Sequence, residues 1–155
     1  SAEVHFIGHL QTNKVKYIID SVSMIQSVDS IKLAEEIDRH AGRIGRCQDI
    51  LIEVNIGGEK SKSGIAASGL EELVYQVSEL ENIRVRGLMA IPPAGSSERF
   101  LFDMQKLYID ISQKKIHNIS MDYLSMGMSG DYEAAIKYGA NMVRIGRGLF
   151  GPRNY

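Results

Sequence analysis

Two stretches near the end of the chain decide its reading: Leu124–Ser125–Met126–Gly127–Met128–Ser129–Gly130 and Val143–Arg144–Ile145–Gly146–Arg147–Gly148–Leu149–Phe150–Gly151. Each runs from an apolar strand into a glycine-bearing turn. The first turn adds a hydroxyl at Ser129, and the second follows Arg144, an arginine on the buried side of its strand. Glycine lets backbone N–H groups approach an anion closely, so two such turns in succession predict a phosphate cradle. They close a run of strand–helix units, the place where parallel barrels often carry a phosphate site.

Outward from these turns the pattern keeps alternating. Strands are predicted at Val4–Leu10, Met24–Val28, Asp49–Gly57, Ile83–Ile91, Tyr123–Met128 and Met142–Ile145. Helices are predicted at Asn13–Asp20, Ile31–Cys47, Leu70–Leu80, Ser96–Ile116 and Asp131–Tyr138. The second of these has apolar residues at Ile31, Ala34, Ile37, Ala41 and Ile44, behind a cap at Asp29–Ser30. Pro92–Pro93 stops the fourth strand, and the polar stretch Gly58–Ser68 reads as a loop. Near-continuous apolar strands separated by helices mean parallel pairing with both faces covered. Six units fall short of a closed eight-strand barrel of more than ~200 residues, and an open doubly wound sheet also suits the length. Gly146, Gly148 and Gly151 spell G-x-G-x-x-G, but too little chain follows for a dinucleotide unit.

Composition narrows the classes. The 155 residues are 44% hydrophobic and 24% charged, with net charge −1. That is one globular domain's balance, with no basic stripe for nucleic acid. Cys47 is the single cysteine. It can form no intrachain disulfide, which suits a reducing, cytoplasmic home, and nothing in the sequence activates it. No run reaches membrane-spanning length, and no C-x-x-C or H-x-x-H pattern supports a metal.

The segments His5–Phe6–Ile7–Gly8–His9–Leu10–Gln11–Thr12–Asn13–Lys14, Val54–Asn55–Ile56 with Ser61–Lys62–Ser63–Gly64, Arg86–Gly87–Leu88–Met89, and the two C-terminal turns stand in order along the chain. Together they resemble the pyridoxal phosphate homeostasis proteins, a single-domain family with the alanine racemase (fold type III) barrel. The resemblance covers essentially the whole chain. It implies a TIM-type (β/α) barrel of the alanine racemase N-terminal type, here incomplete, with about six of eight strand–helix units. Residues 1–155 would be a single partial domain holding strands three to eight. The family's Schiff-base lysine lies on an earlier strand and is expected outside these residues.

The resemblance also assigns roles around pyridoxal 5′-phosphate. Ser129, with N–H groups of Met128 and Ser129, would meet the phosphate; the bland alternative is that Ser129 only caps the next helix. Gly146 and Arg147 would add backbone N–H groups, although many relatives carry a small hydroxylic residue where Arg147 stands. Arg144 would face the pyridine nitrogen and keep it unprotonated, or reach the phosphate. His9, Asn13 and Asn55 are strand-end candidates of equal structural or functional weight, and Lys62 reads as a solvated loop lysine. Met89, Met126 and Met128 read as packing.

The leading expectation is a non-catalytic carrier and buffer of vitamin B6 cofactor that serves apo-enzymes dependent on it. The alternatives are a racemase-like enzyme, which would need a β-rich second domain, and an unrelated phosphate-ligand barrel with Glu53 and Asp122 as nearest acid/base candidates. Exposed barrel edges predict self-association.

Overall fold

The structure is a computed structural model that describes residues 1–96 and 98–154. One parallel sheet runs β1 (His5–Phe6), β2 (Met24–Val28), β3 (Gln48–Asn55), β5 (Ile83–Ala90), β6 (Ile119–Met128), β7 (Met142–Arg144), and a two-residue strand β4 (Ile65–Ala66) pairs beside the end of β3. The connecting helices are α1 (Ile31–Arg43), α2 (Leu70–Ser78), α3 (Arg99–Lys114) and α4 (Tyr132–Lys137), with a single turn α5 (Arg147–Phe150) after β7. Strand order follows chain order without reversal. A doubly wound sheet must reverse at a switch point. The sheet is therefore barrel-type, an incomplete TIM barrel with edges at β1 and β7.

Two cores form on the two faces of the sheet. Outward residues such as Ile25, Ile50, Ile52, Val54, Val85 and Leu124 pack against the helices. Helix α1 buries Leu33, Ala34, Ile37 and Ala41, one stripe at helical spacing. Inside the curve, Met24, Leu51 and Met89 form a second cluster under Tyr123. Below it, at the N-terminal ends of the strands, Arg84 and Arg86 bind Asp49 at 2.8 Å, and Arg86 binds Asp122 at 2.6 Å.

Several predicted boundaries move, each for a local reason. The strand predicted at Val4–Leu10 has ladder partners at His5–Phe6, on β2, and the chain then turns into a 3₁₀ segment, Thr12–Tyr17. That segment replaces the helix predicted at Asn13–Asp20. Helix α1 stops at Arg43, because Gly45 takes φ 67° and Arg46 N–H returns to Ala41 O at 2.9 Å. Ile44 thus lies past the helix and is 46% exposed, although the spacing placed it on the core stripe. The Ser30 cap is present, with Ser30 Oγ accepting from Leu33 N–H at 3.1 Å. The cap predicted at Ser96–Ser97 includes Ser97, which lies outside the described residues; the residue before α3 is Glu98, whose side chain instead accepts from Tyr138 OH. Strand β6 starts four residues earlier than predicted, at Ile119, and the Gly58–Ser68 loop contains β4.

The sheet bends where β5 meets β6. The register shifts between Val85 and Gly87, and a Cβ on Gly87 would collide with the Tyr123 carbonyl. Gly87→Ala is therefore expected to cost about 3 kcal/mol. Urea unfolding checks this; an unchanged midpoint would contradict the close approach.

Candidate functional site

The C-terminal strand ends gather the polar residues. Arg144, on β7, reaches across the neighbouring strand: its Nη1 donates to Ser125 Oγ on β6 at 2.5 Å, and its Nη2 donates to Ala90 O at the end of β5 at 2.8 Å. Ser125 Oγ donates to Gln26 Oε1 on β2 at 2.7 Å. With the amide oxygen on Ser125, Gln26 Nε2 faces His5 Nδ1 at 3.0 Å and also donates to Met142 Sδ. In this orientation Nε2 donates and His5 Nδ1 accepts. One directed chain of donors thus runs Arg144, Ser125, Gln26, His5, from one edge strand to the other.

Glu53, on β3, stands beside this chain. It is 6% exposed and makes no hydrogen bond or ion pair among the described residues. Burial, then the like charge of Asp29, pushes its carboxyl up to about 7, and Arg144 acts in the opposite direction. Asp29 is itself pinned, because its Oδ2 accepts from Gly64 N–H at 3.0 Å. Burial draws Arg144 below the ordinary guanidinium range, against the pull of Glu53 and Asp131.

The two glycine turns meet. Gly148 N–H donates to Ser129 Oγ at 2.9 Å, which joins the β6–α4 turn to the β7–α5 turn. A Cβ on Gly148 would stand 3.2 Å from that oxygen, so a larger residue would crowd the junction. Gly127 takes φ 102°, and a Cβ there would stand 2.8 Å from Ala135, so this glycine lets α4 close over the end of β6. Ser129 does not cap α4; the residue at that position is Asp131, whose Oδ1 accepts from Met128 N–H at 2.8 Å. Met128 N–H is thereby occupied. The N–H groups of Gly130, Gly146 and Arg147 meet no acceptor among the described residues, and the Arg147 side chain is exposed.

The remaining candidates lie apart from this cradle. Asn55 is structural: its Nδ2 donates to Glu59 O at 2.7 Å and holds the loop after β3. Lys62 pairs with Glu59 at 3.4 Å, and His9 Nδ1 lies 3.5 Å from Ser63 Oγ in the same loop region. Asn13 is exposed on the 3₁₀ segment. Met89 and Met126 are fully buried, whereas Met128 is 43% exposed at the rim. Asp122 sits at the opposite end of the barrel, held well below the usual carboxylate range by Arg86. Gln26 and Ser125 were not singled out in the sequence. The available signal was a polar residue on the inward register of an otherwise apolar strand.

The alanine racemase N-terminal domain family matches residues 1–154. A pyridoxal phosphate homeostasis protein of Aquifex aeolicus is 45% identical over 157 residues, covering 99% of this chain and 68% of that protein. The protein of the same name from Pseudomonas aeruginosa is 39% identical, covering 97% of this chain and 65% of that one. The chain thus spans about two thirds of the length of these relatives. Among solved structures, PipY of Synechococcus elongatus with PLP bound superposes with a TM-score of 0.88 at 32% identity, over 96% of this chain and 70% of that one. An alanine racemase of Clostridium difficile superposes at 0.77 with 16% identity, over 100% of this chain and 41% of that one, which shows the shared fold alone.

Glu53 gives a stability test. An unfolded glutamate loses its proton near 4.5, and the folded one holds it to about 7. The native state binds the extra proton between these values, so this residue makes stability fall as pH rises from 4.5 to 7, by up to about 3 kcal/mol. Glu53→Gln is expected to remove that slope and to be more stable than the parent at pH 8, with little difference at pH 4.5. Denaturant melts of both proteins across that range check it.

Proposed function

We propose that this chain, which belongs to the pyridoxal phosphate homeostasis protein family, binds the phosphate of pyridoxal 5′-phosphate between its last two strand ends and serves as a carrier and buffer of that cofactor. The observation that carries the reading is the Gly148 N–H to Ser129 Oγ bond. It joins the two glycine turns, and the N–H groups of Gly130, Gly146 and Arg147 meet no acceptor among the described residues. Clustered backbone donors of this kind suit an anion. Ser129 Oγ accepts from Gly148, and its own hydrogen remains for the phosphate. The Arg147 side chain is exposed at the same turn and adds positive charge. An anion reaching Met128 N–H must displace Asp131 from it.

Arg144 suits the ring end. Two of its N–H groups are tied to Ser125 and Ala90, so its position is fixed while other donors remain. A guanidinium stays protonated and can offer a hydrogen bond to an unprotonated pyridine nitrogen without giving up its proton. Bound pyridoxal phosphate would supply an aldehyde and an electron-withdrawing ring, and the residues here would hold and orient it. On this reading the sheet corresponds to strands three to eight of the eight-strand barrel, in one domain of residues 1–155. The ligand is then passed to apo-enzymes in the cytoplasm, and the reversible contacts described support such release. No helix among the described residues is long and apolar enough to cross a membrane.

Two measurements test this. Calorimetry should show pyridoxal 5′-phosphate binding more tightly than pyridoxal, and Ser129→Ala should weaken the phosphate ester about tenfold, the cost of one hydrogen bond to a charged group. Equal affinity for the two ligands would overturn the cradle. The edges are also expected to self-associate: Val4 and Ile7 are 55% and 44% exposed beside β1, and Leu149 and Phe150 are 72% and 83% exposed beyond β7. Light scattering should find dimers or larger species, and a clean monomer would oppose that expectation.

A further inference from the structure

The carboxyl of Glu53 and the guanidinium of Arg144 are brought together without being paired. Arg144 Nη2 is anchored on Ala90 O, and Ala90 is the ladder partner of Val54, the residue after Glu53. The guanidinium is thereby held at the end of β5, where Ala90 is one register step from the strand position of Glu53, and its two hydrogen bonds among the described residues go to neutral oxygens. Glu53 itself has no hydrogen-bond partner among the described residues. Two charged groups act on it: Asp29, beyond the end of β2, and Arg144. Arg144 is acted on in turn by the charges of Glu53 on β3 and Asp131 at the start of α4. A carboxyl that is 6% exposed and has no hydrogen-bond donor among the described residues is favoured in its protonated form; ionised, it gains from a cation or donor at contact.

We propose that Glu53 is a positioning residue for Arg144: protonated, it leaves the guanidinium on Ser125 and Ala90 with donors free toward the barrel mouth, and ionised, it draws those donors into the lumen. This deepens the binding reading above and rests on it. The ligand class is a phosphorylated heteroaromatic ring that presents an acceptor to Arg144. Such a ligand competes with ionised Glu53 for the same donors. Binding therefore favours the protonated carboxyl and takes up a proton, and affinity falls as pH rises through the carboxyl's titration near 7.

Pyridoxine 5′-phosphate is the probe, because it carries the ring and the phosphate but no aldehyde. Its dissociation constant is measured by calorimetry at pH 6 and pH 8, in buffers of different ionisation enthalpy, for the parent chain and for Glu53→Gln. The ligand's own titrations are common to both and cancel. The parent should lose about tenfold more affinity than the variant between the two pH values, one unit of pKa coupling, and should take up more protons near pH 7. Asp29→Asn keeps an acceptor for Gly64 N–H but removes the like charge, and should move the parent's pH step to lower pH. Equal pH dependence in parent and Glu53→Gln overturns the proposal while leaving the cradle intact. Absence of binding by every protein at both pH values overturns the cradle and the proposal with it.

Discussion

The chain of hydrogen bonds from Arg144 through Ser125 and Gln26 to His5 is the constraint on which the architecture turns. An open parallel sheet has no intrinsic reason to curl its edges toward one another. Here side chains on β1, β2, β6 and β7 share one directed set of donors and acceptors inside the curve. Ser125 is fully buried and Gln26 is 2% exposed, so flattening the sheet would leave these groups without partners in a dry interior. Each unsatisfied group there costs on the order of 1–3 kcal/mol. The apolar cluster of Met24, Leu51 and Met89 favours the same curvature but carries no direction. The polar chain favours one register, because its donors and acceptors meet in that arrangement.

Glycines then decide what stands at the mouth. Gly127 allows α4 to approach β6, which carries Ser129 toward the turn after β7. Gly148 allows its backbone to reach the Ser129 hydroxyl. The result is a junction built by close backbone approach, beside which the N–H groups of Gly130, Gly146 and Arg147 meet no acceptor among the described residues. Arg144 connects this rim to the interior chain, so the mouth and the curvature share a residue.

The alternation of strands and helices was legible because each apolar stretch has a short, distinct period: Met24–Val28 is reproduced residue for residue, and Leu33, Ala34, Ile37 and Ala41 face the core. The choice between barrel and doubly wound sheet was not legible from period alone, since both consist of parallel strands with helical crossovers; strand order decides it. The Gly45 stop of α1 shows local backbone chemistry overriding a continued apolar pattern at Ile44. At the site, the two glycine turns could be read from residue types. Their junction could not, because it joins residues 19 apart through a single hydrogen bond. Gln26 and Ser125 were hidden for a similar reason: an inward polar residue reveals its role only when its partner, 99 residues away, is known.

The two ends of the barrel treat charge in opposite ways. At the N-terminal end, Asp49, Arg84, Arg86 and Asp122 are paired at 2.6–2.8 Å, and Arg86 also lies over the Tyr123 ring. Such a cluster directs its charges at one another. At the C-terminal end, Glu53 and Asp131 each act electrostatically on Arg144 with no ion pair among the described residues, and Asp29 is tied to a backbone N–H. An arrangement of opposite charges held near but not in contact keeps donors and protons available, and a bound group can then change their distribution. The same fold thus spends its charged residues on structure at one rim and leaves them responsive at the other, which is where the glycine turns converge.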